Sequence, residues 1–544
     1  MKNHIEHKNR IWFLLLSAFL VAVTFTSCNK LDVKTYSQLT PNKFYKNPEQ
    51  FVSAMGVAYR DLVNFGNHKG IFMLQEVGTD EAVIPQRGPD WYHGGEWIRF
   101  HQHTWDDRED RIRTTWNTMF AGISNTNRLI YQFNNLVKKG SMNAGTATTY
   151  IAELKVLRAF YYYLLLDTFG NVPIVTQFAN ASKAPANNTD FQAGRDSLFN
   201  FIERQVKDNI EKLSSAADQS TFGRMNRWAA HFLLAKLYLN AKVYTGTPRW
   251  QDVVAQSDSI INAGKYNLAP AFFSVFKTFN QNSPEIIFAI PYNAVFFQGF
   301  FIDRVTLANL NQFTFNLTVN PWNGMATLEN FYYSFLNTDV RKKGFMVGYQ
   351  YDSKGNHLID ASTFPGEPHG DTLYFTPEIN ELYPKAWREA GARFHKFEYA
   401  MGATANLSNA FPVFRYADVL MMKAEALWRM NPGSAEALQL INRIRARAGT
   451  PGFTSLSAYK LLSERGREFY TELWRRQDLI RFRGGLHYHM GPNDVKGAPY
   501  AAGATAFNDA WWAKPVDPNT HVNVYPIPYA QLQANPNLHQ NPGY

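Results

Sequence analysis

Residues 224–245 read RMNRWAAHFLLAKLYLNAKVYT, followed by Gly246-Thr247-Pro248 and then an amphipathic run over 249–264. Glycine and proline interrupt helical spacing, so the stretch reads as a helix with small residues inside it, a short turn and a second helix. The same arrangement returns at Tyr416–Met430 and Ala435–Ala448, joined by Asn431-Pro432-Gly433. In the second member Ala437, Leu440, Ile441, Ile444 and Ala448 fall on one face. Arg443, Arg445 and Arg447 crowd its last turns, where cations suit the helix dipole, and Gly449 closes it.

Helix pairs of this kind are the unit of tetratricopeptide-like repeats. Further helices are expected at Pro48–Phe65, with Asn47 as cap and Glu49 in the first turn, and at 108–138, Tyr150–Thr168 and 191–213. Gly170 and Pro173 end the Tyr150–Thr168 helix. Residues 71–107 and 280–414 have another texture, rich in Gly, Pro, Asn and aromatics, with one short strand expected at Glu285–Ile290. The expected fold is mainly α: a tetratricopeptide-like helical-repeat superhelix with large irregular loop excursions and a few short strands. Long irregular segments inside such a scaffold are where ligand sites belong.

The N-terminus is a separate matter. Lys2, Lys8 and Arg10 precede the apolar run Ile11–Val23, and Phe25-Thr26-Ser27-Cys28 follows. That order is a charged segment, a short hydrophobic segment and a small residue before a cut. Residues 1–27 are expected to be a signal peptide; a Cys directly after the small residue resembles the lipobox of bacterial lipoproteins, which implies that residues 28–47 are a spacer lipidated at Cys28. The remaining 517 residues carry a formal charge of +8, without a Lys/Arg block or a nucleic-acid motif. No later apolar run is long enough to span a bilayer.

Cys28 is the one cysteine of the chain. The folded part therefore has no thiol nucleophile, disulfide or Cys-ligated metal. His101-Gln102-His103 with Asp106 and Asp107 suggests a metal only if the histidines alternate on a strand. Residues 107–111 read instead as the acidic start of a helix, and no metal or other cofactor is expected. Asp80-Glu81 and Asp106-Asp107 are paired carboxylates, but glycoside hydrolysis needs two acids held about 5–10 Å apart across a sugar. No serine nucleophile elbow, phosphate loop or dinucleotide fingerprint is present, so no catalysis is expected. The dense charges of Glu464–Arg483 read as an ion-paired scaffold helix, with pairs Glu464–Arg467 and Glu472–Arg476.

Aromatic residues make up 15% of the chain. The best ligand-binding candidate is Asp80–Trp97, DEAVIPQRGPDWYHGGEW, with rings at Trp91, Tyr92 and Trp97 and polar partners at Asp80, Arg87, Asp90 and Glu96. An indole stacks on the C–H face of a sugar, while polar side chains serve its rim of hydroxyls. The middle excursion offers Trp322, Asn323 and Tyr332. The competing reading makes Trp97 and Trp322 core rings.

A series of short motifs runs nearly the whole length of the chain. It includes Leu31-Asp32-Val33, Arg158-Ala159-Phe160-Tyr161-Tyr162, Phe169-Gly170-Asn171-Val172-Pro173 and Glu285-Ile286-Ile287-Phe288. Later come Arg415-Tyr416-Ala417-Asp418, Glu464-Arg465, Arg467-Glu468, Asp478-Leu479-Ile480-Arg481, Tyr525-Pro526-Ile527-Pro528 and Asn541-Pro542-Gly543-Tyr544. In this order, behind a lipobox-like Cys28, they resemble the SusD/RagB family of outer-membrane lipoproteins. Leu473 stands where family members often have glycine. The resemblance implies an N-terminal SusD-like helical domain at 48–279 and a C-terminal RagB/SusD domain at 280–544. It implies a surface-facing, lipid-anchored outer-membrane protein without catalysis. Such a protein binds an oligomeric nutrient and delivers it to a SusC-like TonB-dependent transporter. A glycan is the leading ligand, a peptide the alternative in the same role, and a lipid-anchored glycosidase the alternative of another class.

Overall fold

A computed structural model of the chain describes residues 48–178, 184–362, 364, 366–486 and 516–544. Cys28, the signal peptide and the spacer lie outside the described residues. The chain divides into two units, Met1–Phe51 and Val52–Tyr544.

The helical scaffold contains α1 (Pro48–Tyr59), α2 (Asp110–Lys138), α3 (Ala144–Phe169), α4 (Phe191–Lys207), α5 (Arg227–Leu239) and α6 (Trp250–Ala263). After the middle excursion come α7 (Tyr416–Met430), α8 (Ala435–Arg447), α9 (Ala458–Phe469) and α10 (Arg475–Arg483). Helices α3, α4, α5 and α8 start at side-chain caps: Asn143, Asp190, Asn226 and Ser434 accept from first-turn amides that have no helical partner. Residues 152–169 of α3 are nearly all buried, so this helix is apolar all round and runs through the core. It crosses α2 where a Cβ on Gly122 would stand 2.2 Å from the Tyr161 ring, which only glycine allows. The long 224–245 helix expected from sequence breaks at Asn240 into α5 and a short helix Ala241–Thr245.

The scaffold is a tetratricopeptide-like stack: α2 packs on α3, α3 on α4, α5 on α6 and α7 on α8. Helix α6 also packs directly on α7, although residues 264–415 separate them in sequence. The excursion returns because its ends pair. Strand β2 (Ile286–Ile290) runs antiparallel to β8 (Phe411–Arg415), with Ile286 opposite Arg415 and Ile290 opposite Phe411. Inside the excursion, β4 (Phe345–Met346) pairs with β7 (Arg393–Phe394) and β5 (Gly348–Tyr349) with β6 (Tyr374–Phe375). One further pair reaches outside it: β1 (Ala82–Val83) pairs with β3 (Ala326–Thr327).

A buried ion network ties the excursion to the C-terminal helices. Arg415 donates to Glu285 at 2.7 Å, Glu468 at 2.6 Å and Glu472 at 2.7 Å. Arg341 donates to Glu464 at 2.7 Å and Asp339 at 2.8 Å, while Arg465 bridges Asp418 and Asp478. The surrounding guanidinium groups hold the Glu464 and Glu468 carboxyls well below the usual range despite burial. The Glu464–Arg467 pair forms at 2.8 Å. The expected Glu472–Arg476 helical pair does not, because α9 ends at Phe469 and the chain turns before α10 begins. Glu472 instead joins Arg415 and Lys396, and Arg476 donates to the backbone oxygen of Val522 at 3.0 Å. In that turn Leu473 has φ +69°, a left-handed conformation that suits glycine far better than leucine. Its N–H donates to Glu76 at 2.7 Å.

Candidate functional site

The β1–β3 pair brings the two aromatic stretches of the sequence together. With Ala82 opposite Thr327, the loop after β1 lies against the segment before β3. That loop is unusually rich in left-handed backbone: Gly88, Trp91, His93, Gly94 and Gly95 all have positive φ, as does Asn323 on the facing segment. Non-glycine residues held this way persist only where the surroundings over-determine them.

Buried arginines supply that determination. Arg87, 2% exposed, donates to the backbone oxygens of Asn323 at 2.9 Å, Gly324 at 2.6 Å and Ala390 at 2.5 Å. Arg393 donates to the backbone oxygens of Ala390 and Arg388 and to the Asn323 side chain at 3.3 Å. Burial pushes the Arg87 guanidinium down to about 9 and also lowers Arg393, which Arg87 opposes as a like charge. Carbonyl oxygens, not carboxylates, thus hold both cations in place. Gly324 completes the arrangement, since a Cβ there would stand 2.5 Å from the Trp91 ring.

The result is a cleft of about 430 Å³ lined by His68, Pro89, Asp90, Trp91, His93, Asn309, Pro321 and Trp322. The Trp91 indole N–H donates to the backbone oxygen of Trp322 at 2.5 Å, and the two rings lie 6.4 Å apart at 59°. The edge of His68 meets Trp91 at 5.7 Å and Trp322 at 5.2 Å. Burial and the nearby Arg111 lower the His68 imidazole to about 3, so it is a neutral ring at any physiological pH. The Arg304 guanidinium sits 4.1 Å from the centre of the half-buried Trp322 ring and covers one of its faces. Asp90 is the one carboxylate among the described lining residues. The cleft therefore presents aromatic surface, an anionic acceptor and an amide, and no second acid across from the first.

Of the expected ligand-binding residues, the structure brings Asp90, Trp91 and Trp322 into this cleft. Tyr92 lies beside Trp91 on the surface, 45% exposed, and stacks on Tyr383 at 5.7 Å. Five of the others do different work. Asp80 is buried in a pair with Arg475 at 2.6 Å. Arg87 holds backbone, as described. Trp97 is 1% exposed on the helix Glu96–Gln102, where its N–H donates to His93 at 2.7 Å behind Trp91. Asn323 accepts from Arg393, and Tyr332 packs on Tyr333 and Phe345, away from the cleft lining. His68 and Asn309 escaped the sequence reading because nothing in their local sequence marks either as a cleft residue; only chain return places them there. The His101/His103 alternation does not occur on a strand. His101 lies buried in the last turn of the helix Glu96–Gln102, while His103 caps that helix and contacts Gly78 and Asp517. Among the described residues no group of three His, Cys, Asp or Glu side chains is placed to hold a metal ion.

A family model described as "SusD family" matches residues 264–544, and one described as "Starch-binding associating with outer membrane" matches residues 30–239. The starch-binding protein SusD of Bacteroides thetaiotaomicron is 25% identical, over 97% of this chain and 98% of its own length. A SusD superfamily protein from Parabacteroides distasonis superposes with a TM-score of 0.70 at 22% identity, covering 93% of this chain and all of the other. A laminarin-binding SusD-like protein gives 0.69 at 21% identity, covering 92% of this chain and all of the other.

Proposed function

The chain belongs to the SusD family, and on that premise we propose that it captures a glycan in the Trp91–Trp322 cleft and delivers it to a SusC-like outer-membrane transporter. The observation that carries the reading is one open cleft lined by the half-buried Trp322 and by Trp91, 8% exposed, together with Asp90 and Asn309. A sugar offers an apolar C–H face and a rim of hydroxyls, and this lining answers both. The starch-binding relative and the laminarin-binding neighbour support a glycan over a peptide. A single carboxylate supports binding rather than hydrolysis, which takes two.

Trp322→Ala tests it. Loss of a stacked ring at the centre of a site weakens binding by about 1–3 kcal/mol. Calorimetry with soluble starch oligosaccharides and laminarin oligosaccharides reads the loss, and the melting temperature is expected to fall less than for a core ring because Trp322 is only partly buried. Equal affinity of the variant for whichever glycan the protein binds removes this cleft from the reading. Peptide binding without glycan binding replaces the ligand class.

The proposal includes the anchor. Cys28 carries the lipid and tethers the protein to the outer membrane, in keeping with the description of the N-terminal family model. Cys28→Ala is expected to move the protein from the membrane fraction to the soluble fraction, since two or more acyl chains are what make such anchoring stable. A variant that is still membrane-bound at wild-type level overturns the assignment.

A further inference from the structure

A second cavity, about 880 Å³, lies between the start of α4, the α5–α6 turn, the ends of α7 and α10, and the C-terminal segment. Its size is in the range that takes a small-molecule ligand. Four cationic side chains, Arg195, Lys242, Arg429 and Arg481, line it, and no carboxylate is among its described lining residues. One of the cations is already spent, since Arg481 is bound by Glu425 and Asp478; Arg429 is engaged in part, its Nε donating to Glu425 at 2.8 Å.

Two guanidinium groups keep unused donors. Arg429 is flanked by the rings of Trp250 at 4.9 Å and Phe482 at 4.6 Å, and its Nη2 is buried without a partner. Arg195 makes no hydrogen bond or ion pair among the described residues; its Nε is buried, and the rings of Phe191 at 5.4 Å and Tyr244 at 5.5 Å flank it. The nearest acids are engaged elsewhere. Asp196 accepts from Gln192, and Asp167 accepts from Gln75, Tyr244 and Gln477. The arginines of the buried ion network, Arg341, Arg415 and Arg465, each meet carboxylates instead. A guanidinium whose donors have no hydrogen-bond partner costs free energy that an incoming oxyanion recovers.

We infer that this cavity is a second ligand site, separate from the Trp91–Trp322 cleft, for a sugar bearing a carboxylate or sulfate group. The charged group meets Arg195 and Arg429, and the ring packs on Trp250, Phe482 and Phe191. Planar guanidinium forks match the geometry of both oxyanions, and aromatic walls suit the sugar face.

Calorimetric titration of the protein with galacturonic acid, glucose 6-sulfate, glucose and sodium sulfate tests this. The acidic sugars are expected to bind saturably and glucose to bind no better than the buffer control; the tighter of the two acidic sugars names the source of the charge. Arg195→Gln is expected to weaken that binding about ten- to hundredfold, the value of a charge-assisted hydrogen bond. The melting temperature is expected to hold, because Arg195 bonds to nothing in the fold. Lys242→Gln, at an exposed position, is expected to cause a smaller loss and gives a second reading free of any folding effect. Trp322→Ala is expected to leave acidic-sugar binding unchanged, so failure of the cleft proposal and failure of this one are distinguishable. Glucose binding as tightly as the acids in Trp322→Ala, sulfate alone binding as tightly as either, or equal affinity in Arg195→Gln and the parent each overturns the inference.

Discussion

Arg415→Leu is expected to destabilise the fold by about 3–5 kcal/mol or more, and to leave little folded protein at growth temperature. Removing one partner of a buried ion pair costs this much because the other charge stays buried and uncompensated. Here three carboxylates lose the same partner, since Arg415 serves Glu285, Glu468 and Glu472 at once. Arg415 also donates to the backbone oxygen of Glu468 at 2.7 Å, and it ends β8, which closes the excursion against β2. The guanidinium is therefore both a counter-charge and the link between the excursion stem and α9. Urea unfolding followed by circular dichroism reads the effect as a fall in midpoint. A midpoint within error of the parent would show that the network contributes nothing net and that the stem holds by strand pairing and packing alone.

Trp97→Ala is expected to cost about 3–5 kcal/mol of stability, the usual penalty for emptying a large aromatic site in a core. The ring is 1% exposed, contacts Trp91 and Phe100, lies 5.1 Å from the Arg111 guanidinium and donates to His93. Thermal unfolding reads the loss directly. Glycan affinity, measured below the lowered melting transition, is expected to fall less than in Trp322→Ala, because Trp97 lies behind the cleft and does not line it. The opposite pair of results, binding lost with melting unchanged, would make Trp97 the platform and overturn its placement as a core ring.

The comparison between these two tryptophans also shows where sequence reading stops. Trp91 and Trp97 sit in one polar, glycine-rich stretch and look alike there. They separate because the loop turns into a helix at Glu96, which drives Trp97 inward on the first turn while the left-handed backbone at Trp91 and His93 turns the other ring toward Trp322. Asp80 and Arg87 misled for a related reason. A charged residue in a loop-like sequence suggests solvent or ligand, but Arg475 and the carbonyls of Asn323, Gly324 and Ala390 arrive from segments hundreds of residues away. Burial of a charge depends on such partners, and no local pattern announces them. Similarly, Glu472–Arg476 has ideal helical spacing, yet α9 has already ended; spacing is informative only while the helix continues.

What the sequence determined by itself is the helical-repeat scaffold, the family and the two stretches from which the cleft is built. Helices are local: 3.6-residue apolar periodicity, capping side chains and Gly/Pro stops all act within a few turns, so they are legible in a line of text. Which rings share a cleft, which arginines are structural and which remain unpaired was decided by the tertiary structure alone. The β1–β3 pairing, the β2–β8 stem and the packing of α6 on α7 close loops of tens to hundreds of residues. Their free energy comes from burial and from charge partners that meet only after the chain has folded.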